Sequence, residues 1–317
     1  MQKFLITNPF LSFIRCQITI EFKLGNDGMQ SISILLLSWH DDSAALAQCQ
    51  RILKWQRIAP RIFWIQNSPS RASTALTEVE IIHLPTNAGY AGGMNAGLRA
   101  ATGSEAILLL NNDVRVEESS VLRLIEHMSS NLDVGAIGPV LDERGRLCIG
   151  GRDPLHHIAT RIYQNTEDTI PAAQLTDVDY VPGTCLLLRG SAIHKAGMLD
   201  EAFFFSGEIA EYCRTLRSAG YRTVIAQDAI CQHDPEPSEA RDLVYRYYTL
   251  RNRFLMSRRR PPRLWLIWGM YWTVIGTLML LKALPRNRAV ARSITLALRD
   301  GWIGRFGNRN ELFSTIT

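Results

Sequence analysis

The sequence predicts an α/β protein in which a mostly parallel sheet is covered by helices on both faces and is followed by a C-terminal helical, membrane-associated tail. Three observations predict it. Short runs rich in Ile, Leu and Val alternate with amphipathic stretches from residue 31 onward, which is the pattern of βαβ units. Glycine- and asparagine-rich turns follow those runs, where an open α/β sheet binds its ligands. Beyond residue 250 the pattern changes to an uncharged stretch set between arginines.

Composition supports a folded chain. Of 317 residues, 46% are hydrophobic and 21% charged, which excludes a disordered or collagen-like polypeptide. The six cysteines form no C-x-x-C pair, so neither a disulfide framework nor a zinc site is expected, and a reducing compartment fits. From Arg251 onward thirteen Lys and Arg oppose Asp300 and Glu311, a net of +11; against +5 overall this leaves −6 for residues 1–250. The basic character belongs to the tail and suits an anionic surface.

Residues 1–28 contain apolar runs broken by Asn8-Pro9, Arg15 and Glu21, with no clean apolar region before a small-residue cleavage site, so a secretory signal is not expected. They are expected to be an N-terminal extension outside the fold, either an upstream segment or a misassigned start, with the folded part beginning near Met29. From there the pattern predicts strands at 32–37, 61–65, 79–84 and 106–110, with helices at 43–57 and from near Gly92 to Ala101. Downstream it predicts helices at 119–131 and 208–219 and strands at 134–140, 179–189 and 222–226. Gly220 stops the second of those helices.

Several blocks, in order, resemble glycosyltransferase family 2, the inverting nucleotide-sugar transferases of GT-A fold, and in particular its rhamnosyltransferase-like branch that builds bacterial surface polysaccharides. They are Ser38-Trp39-His40, the run from Asn87 through Gly97, Leu108-Leu-Leu-Asn-Asn-Asp113, Val178 to Arg189, Gly197 to Phe204, Glu208 to Tyr221, and His233. The resemblance spans roughly residues 31–255 and implies a GT-A, Rossmann-like domain over 29–255. The spacing G-x-x-G-G-x-x-x-G within 89–97 is neither a dinucleotide fingerprint nor a phosphate loop.

By that resemblance Ser38, Gln66, Asn67, Asn87, Gly89, Gly92, Asn95, Asn111 and Asn112 surround the nucleotide-sugar donor. Gly97 reads instead as a packing glycine where a helix crosses the sheet. Transfer from a nucleoside diphosphate calls for a cation on the leaving group, and Mg²⁺ or Mn²⁺ prefers hard oxygen ligands. Asn111-Asn112-Asp113 occupies the place of the family's D-x-D-like motif, which makes Asp113 the first metal ligand. His233 stands where the family can complete the metal or diphosphate site.

Two departures from the family matter. Where relatives commonly carry Glu-Asp, with the Asp as general base, this chain reads Glu208-Ile209, and Ile209 cannot accept a proton. Glu208 is the leading candidate and Glu211, one helical turn on, the alternative. Where relatives carry Asp-Asn-Ser to read the base, this chain has Gln66-Asn67-Ser68, and the Gln66 amide oxygen can still accept a hydrogen bond. Trp39 and Phe203-Phe204-Phe205 read as core residues.

Residues 264–281 are eighteen without a charge, preceded by Arg258-Arg259-Arg260 and Arg263 and followed by Lys282, Arg286 and Arg288. A helix of that length is about 27 Å, just short of the roughly 30 Å hydrocarbon core. Aromatic residues through it and basic flanks on both sides favour a helix lying in or dipping into the interface, and a basic/apolar tail over 256–317 is expected to associate with the membrane. Nucleic acid is not an expected partner, because the charges do not interleave with aromatics on one face.

The resemblance implies an inverting glycosyltransferase. It would move a hexose or deoxyhexose from a UDP- or dTDP-sugar to a hydroxyl of a lipid-linked glycan or polysaccharide in cell-envelope synthesis. It would act as a peripheral or monotopic protein at the cytoplasmic face of the membrane. The rivals are a catalytically silent nucleotide-sugar-binding or assembly protein, suggested by Gln66 and Ile209, and a nucleotidyltransferase of similar fold.

Overall fold

The computed structural model describes residues 31–39, 42–69, 76–164, 175–234 and 239–313; the extension expected over 1–28 and His40 lie outside the described residues. In chain order the elements are β1 (Ile32–Ser38), α1 (Asp42–Ile52), β2 (Arg61–Gln66), β3 (Val79–His83), α2 (Gly89–Ala100), β4 (Ala106–Asn111), β5 (Val114–Val116), α3 (Glu118–Ser130), β6 (Val134–Glu143) and β7 (Arg146–Gly151). They continue with β8 (Arg161–Gln164), β9 (Leu175–Asp177), β10 (Cys185–Arg189), α4 (Gly190–Ala196), α5 (Glu208–Ser218), β11 (Arg222–His233), α6 (Glu239–Arg258), α7 (Pro262–Ala283) and α8 (Arg288–Ile303).

The central sheet runs β3-β2-β1-β4-β10-β6-β11-β5. Strands β3, β2, β1 and β4 are parallel, β10 is antiparallel to both β4 and β6, and β11 is parallel to β6. The continuous apolar runs of β1 and β4 follow from burial on both faces. Ile34, Leu36, Leu108 and Leu110 pack against α1 and α3, whereas Leu35, Leu109 and Ile65 pack against α2 and α5. Gly97 lets α2 lie close on the sheet: a methyl there would stand 2.9 Å from Leu35 Cδ1 and 3.0 Å from Ile65 Cδ1.

Several expected boundaries shift for identifiable reasons. The strand expected from residue 179 begins at Cys185, after an isolated bridge at Tyr180. Pro182 has no N–H to pair, and the carbonyls of Gly183 and Thr184 are taken by Tyr90 Oη and Asn111 N. The strand expected to end at Ala226 continues to His233 across a register shift between Ala226 and Ile230. Helix α2 starts at Gly89, not near Gly92. Trp39, expected in the core, is 51% exposed at the end of β1, while Phe203 and Phe204 are buried as expected.

A third core joins the C-terminal helices to the sheet domain. Phe203, Phe204, Tyr247, Tyr248, Phe254, Trp272 and Ile294 are its buried members. Helix α6, which the residue pattern did not suggest, is its centre: it packs against both α7 and α8.

Candidate functional site

The carboxyl ends of β1, β2 and β4 gather the residues expected to hold a nucleotide. Ser38 and Gln66 are aligned neighbours in the β1–β2 ladder, and both are buried. The Ser38 hydroxyl accepts from Trp64 Nε1 at 2.8 Å and donates to Asp42 at 2.8 Å. Asn67 organises the next turn: its Nδ2 donates to Gly89 O and Asn87 Oδ1, and its Oδ1 accepts the Ala88 N–H. Asn87 in turn accepts the Gly89 N–H at 2.8 Å. Gly89 has φ +73°, and a Cβ there would lie 2.2 Å from Phe204 O, so both conformation and space demand glycine.

Asn95, expected beside the ligand, has its side-chain amide engaged within the protein. Its amide donates to Leu199 O and Glu201 Oε1 and accepts the Leu199 N–H, which ties α2 to the turn before Phe203. Gly92 sits on the same side of α2, 3.8 Å from Glu201 Oε2 at its would-be Cβ.

At the end of β4 the chain passes through Asn111 and Asn112 to Asp113. The pairing of β5 with the end of β11 sets His233 opposite Val114, so Asp113 Oδ2 and His233 Nε2 stand 3.6 Å apart. Two residues far apart in sequence, both expected to bind a cation, are thereby adjacent. The other imidazole nitrogen, Nδ1, is 3.0 Å from Glu143 Oε1, and Glu143 also meets Arg161 at 3.3 Å and accepts from Tyr163 Oη at 2.7 Å. Burial disfavours charge on His233, yet the Asp113 and Glu143 carboxylates outweigh it and raise its pKa to about 9. Burial likewise opposes ionisation of Glu143, but hydrogen bonding to His233 and the Arg161 charge carry its pKa down to about 2.

Glu143, Arg161 and Tyr163 were missed in the sequence because they lie on β6 and β8, which carry no recognisable motif. Of the three only Glu143 carries a signal along the chain, a charge at the end of the apolar strand β6. Among the described residues no group of three or more His, Cys, Asp and Glu side chains is arranged to hold a metal by itself.

Glu208 and Glu211 open α5 and have opposite surroundings. Both oxygens of Glu211 are engaged by guanidinium groups, Arg214 at 2.6 Å and Arg260 at 3.1 and 3.2 Å. Glu208 is 6% exposed, and among the described residues its Oε2 has no hydrogen-bond partner. Burial pushes its carboxyl up to about 7, against a small opposing contribution from its own backbone N–H. Tyr90 is held nearby by donating to Gly183 O at 2.7 Å, and burial together with the Glu208 charge raises the Tyr90 phenol well above its usual range. A carboxyl kept near neutrality in a buried setting suits proton transfer at physiological pH.

Comparison with known proteins bears on the family and the fold. Residues 67–195 match the family model of glycosyl transferase family 2. The chain is 27% identical over 189 residues to the low-salt glycan biosynthesis hexosyltransferase Agl10 of Haloferax volcanii, covering 57% of this chain and 60% of that protein. It is also 27% identical over 174 residues to the pre-mycofactocin glycosyltransferase of Mycobacterium tuberculosis, covering 53% of this chain and 35% of that one. The chain thus spans less than two thirds of the length of either relative. Two solved structures share the fold. One is GalNAc-T7 with UDP, GalNAc and Mn²⁺, with a TM-score of 0.57 and 12% identity over 71% of this chain and 48% of that one. The other is the mannosyltransferase PcManGT of Pyrobaculum calidifontis with GDP-Man and Mn²⁺, with a TM-score of 0.52 and 14% identity over 93% and 82%.

The raised Glu208 carboxyl has a consequence for stability. In the unfolded chain it ionises near its ordinary value of 4.5, but in the fold only near 7. Its contribution is therefore fully present below about pH 4.5 and is lost as pH rises to about 7, on the order of 3 kcal/mol. Thermal melts of Glu208→Gln are expected to match those of the parent protein at pH 4.5 and to lie several degrees above them at pH 8.

Proposed function

We propose that the chain is an inverting glycosyltransferase in which Glu208 is the general base, a reading supported by the match of residues 67–195 to the glycosyl transferase family 2 model and by the fold shared with two solved glycosyltransferases. The reaction takes a hexose or deoxyhexose from a UDP- or dTDP-sugar and places it on a hydroxyl of a lipid-linked glycan or polysaccharide. The observation that carries this reading is the buried Glu208 carboxyl, one oxygen of which has no partner among the described residues. Glu211 is the weaker candidate because two arginines already occupy it.

In this reading the chain's residues divide the work between two ends of one site. Ser38, Gln66, Asn67 and the Asn87–Gly89 turn bind and orient the nucleoside, with Asn111 and Asn112 beside the diphosphate. Asp113 and His233 would hold a divalent cation through one carboxylate and one imidazole, His233 giving up its proton as the cation binds. Such a cation, when bound, neutralises the charge developing on the leaving diphosphate. Glu143 fixes the His233 ring by holding Nδ1, which turns Nε2 toward Asp113. Glu208 takes the acceptor proton from the opposite face of the sugar.

Calorimetry with UDP-, dTDP- and GDP-sugars, with and without Mn²⁺, and an assay for slow donor hydrolysis test the proposal. One donor is expected to bind in a Mn²⁺-dependent way and to hydrolyse, and Glu208→Gln is expected to bind it equally while losing turnover by about 100-fold or more. Normal turnover in that variant would remove Glu208 from the base role, and binding without hydrolysis or transfer across acceptors would favour the silent rival. Glu143→Gln is expected to weaken Mn²⁺ binding by about 10- to 100-fold, read by calorimetry.

The C-terminal region supports a membrane-surface location, which we place at the cytoplasmic face. Helix α7, with 22 residues, is long and apolar enough to cross a membrane. However, its Gly269, Trp272 and Gly276 side is packed inward, and Trp272 Nε1 donates to Leu155 O at 3.0 Å. Leu266, Ile267, Met270, Val274, Leu278 and Leu281 are exposed along the other side. Arg259 and Arg263 at one end and Lys282, Arg286 and Arg288 at the other are exposed too. An apolar stripe between cationic ends fits a helix lying flat in the headgroup layer of an anionic leaflet. The protein is expected to sediment with vesicles containing phosphatidylglycerol, less so at 1 M salt (~3 Å screening length). A Val274→Glu, Leu278→Glu double variant is expected to stay in the supernatant with an unchanged circular dichroism spectrum.

A further inference from the structure

Resting on the reading of Glu208 as the base, the geometry points to Arg251 and Asn252 of α6 as positioning residues that hold the loop before Glu208 in its working shape. The loop from Phe203 to Gly207 does not adopt that shape unaided. Phe204 has φ 62°, Ser206 φ 69° and Gly207 φ 97°, so three of four successive residues occupy the left-handed half of backbone space, two of them not glycine. Such backbone persists only where its surroundings over-determine it.

The surroundings here come from the C-terminal helix. The single Asn252 amide nitrogen faces three loop carbonyls, Phe203 O at 3.1 Å, Phe205 O at 2.9 Å and Ser206 O at 2.6 Å. Arg251, wholly buried, donates to Phe203 O at 2.9 Å and to Gly307 O at 2.7 Å, and its remaining donors turn the Asn252 carboxamide by holding Oδ1 at 2.7 and 2.9 Å. Because Oδ1 is committed to Arg251, the Asn252 N–H groups are the ones presented to the loop.

Two further contacts complete the hold. The Ser206 and Thr249 hydroxyls meet at 3.2 Å. Gly307, the acceptor for Arg251, also donates to Ala202 O at 2.8 Å, which closes the ring of contacts on the far side of the loop. Tyr247 and Tyr248 flank the Arg251 guanidinium, with its carbon 4.7 Å from the Tyr248 ring centroid, and are themselves fixed by Asp300 and Asn310.

This places the segment Tyr247-Tyr248-x-x-Arg251-Asn252 in the service of the transfer site, acting through the loop. From Gly207 the chain enters α5 at once, so any relaxation of the loop re-aims Glu208. The opposite side of the loop meets the nucleotide end, where Tyr90 N–H donates to Phe204 O at 2.7 Å.

The test is hydrogen–deuterium exchange on full-length protein, read by peptide, with Asn252→Asp. The substitution keeps shape while setting a carboxylate oxygen against three carbonyls. Exchange over residues 203–208 is expected to accelerate by about tenfold or more with β1 to β4 unchanged. Hydrolysis of the most reactive nucleotide-sugar is expected to lose kcat by about 100-fold at constant KM, as a misaimed base would.

Thr249→Val, which removes only the Ser206 contact, is the milder variant should Asn252→Asp not fold; it is expected to show the same pattern at severalfold. Unchanged loop exchange in the variant that folds, or a loosened loop with kcat intact, overturns the proposal. Glu208→Gln run alongside separates the two readings: if it keeps turnover, the base assignment fails, while loop exchange still judges the hold of Asn252 on the loop.

Discussion

Much of this molecule depends on one hydrogen bond, from the Tyr90 N–H to the Phe204 carbonyl. On one side stands the Asn87–Gly89 turn, shaped by Asn67 at the end of β2; on the other stands the loop that leads into Glu208. Gly89 must be glycine because any Cβ would overlap that same carbonyl. A second bridge runs through the turn after Tyr180, where Gly183 O accepts from Tyr90 and Thr184 O accepts from Asn111. The residues assigned to the nucleotide and those assigned to the acceptor are therefore parts of one hydrogen-bonded frame.

Three buried or nearly buried carboxyl groups show how that frame sorts electrostatic roles. Glu143 and Glu211 are surrounded by donors, and Glu143 ionises far below the ordinary range as a result. Glu208 meets burial without comparable compensation, and its carboxyl moves the other way. Between Glu143 and Glu208 the same side chain thus gives a fixed charge where imidazole and guanidinium donors reach it and a titrating group where burial acts without them. Arg260, which bridges Glu211 and Asp153, comes from just beyond α6, so the C-terminal region also sets part of this pattern.

The C-terminal helices face two ways. Inward, Tyr247, Tyr248, Arg251 and Asn252 grip the loop before Glu208, and Trp272 anchors α7 to Leu155. Outward, α7 offers apolar side chains to the surroundings. One helical layer in this way connects an exposed apolar surface with the loop that leads into Glu208.

The sequence by itself determined the α/β class and the alternation of strands with helices, because hydrophobic period and turn residues are local properties. It also marked Asn87, Gly89, Asp113 and Glu208, whose residue types in ordered blocks are readable along the chain. It did not reveal that β11 continues past Ala226 through a bulge, which alone brings His233 beside Asp113, because strand pairing is a relation between segments more than a hundred residues apart. Nor did it reveal Glu143 behind His233, the commitment of Asn95 to Leu199 and Glu201, the exposure of Trp39, or the grip of Asn252 on three carbonyls. Those were decided by tertiary structure, since which donor meets which acceptor, and which carboxylate is left without one, depends on distances that no local pattern encodes.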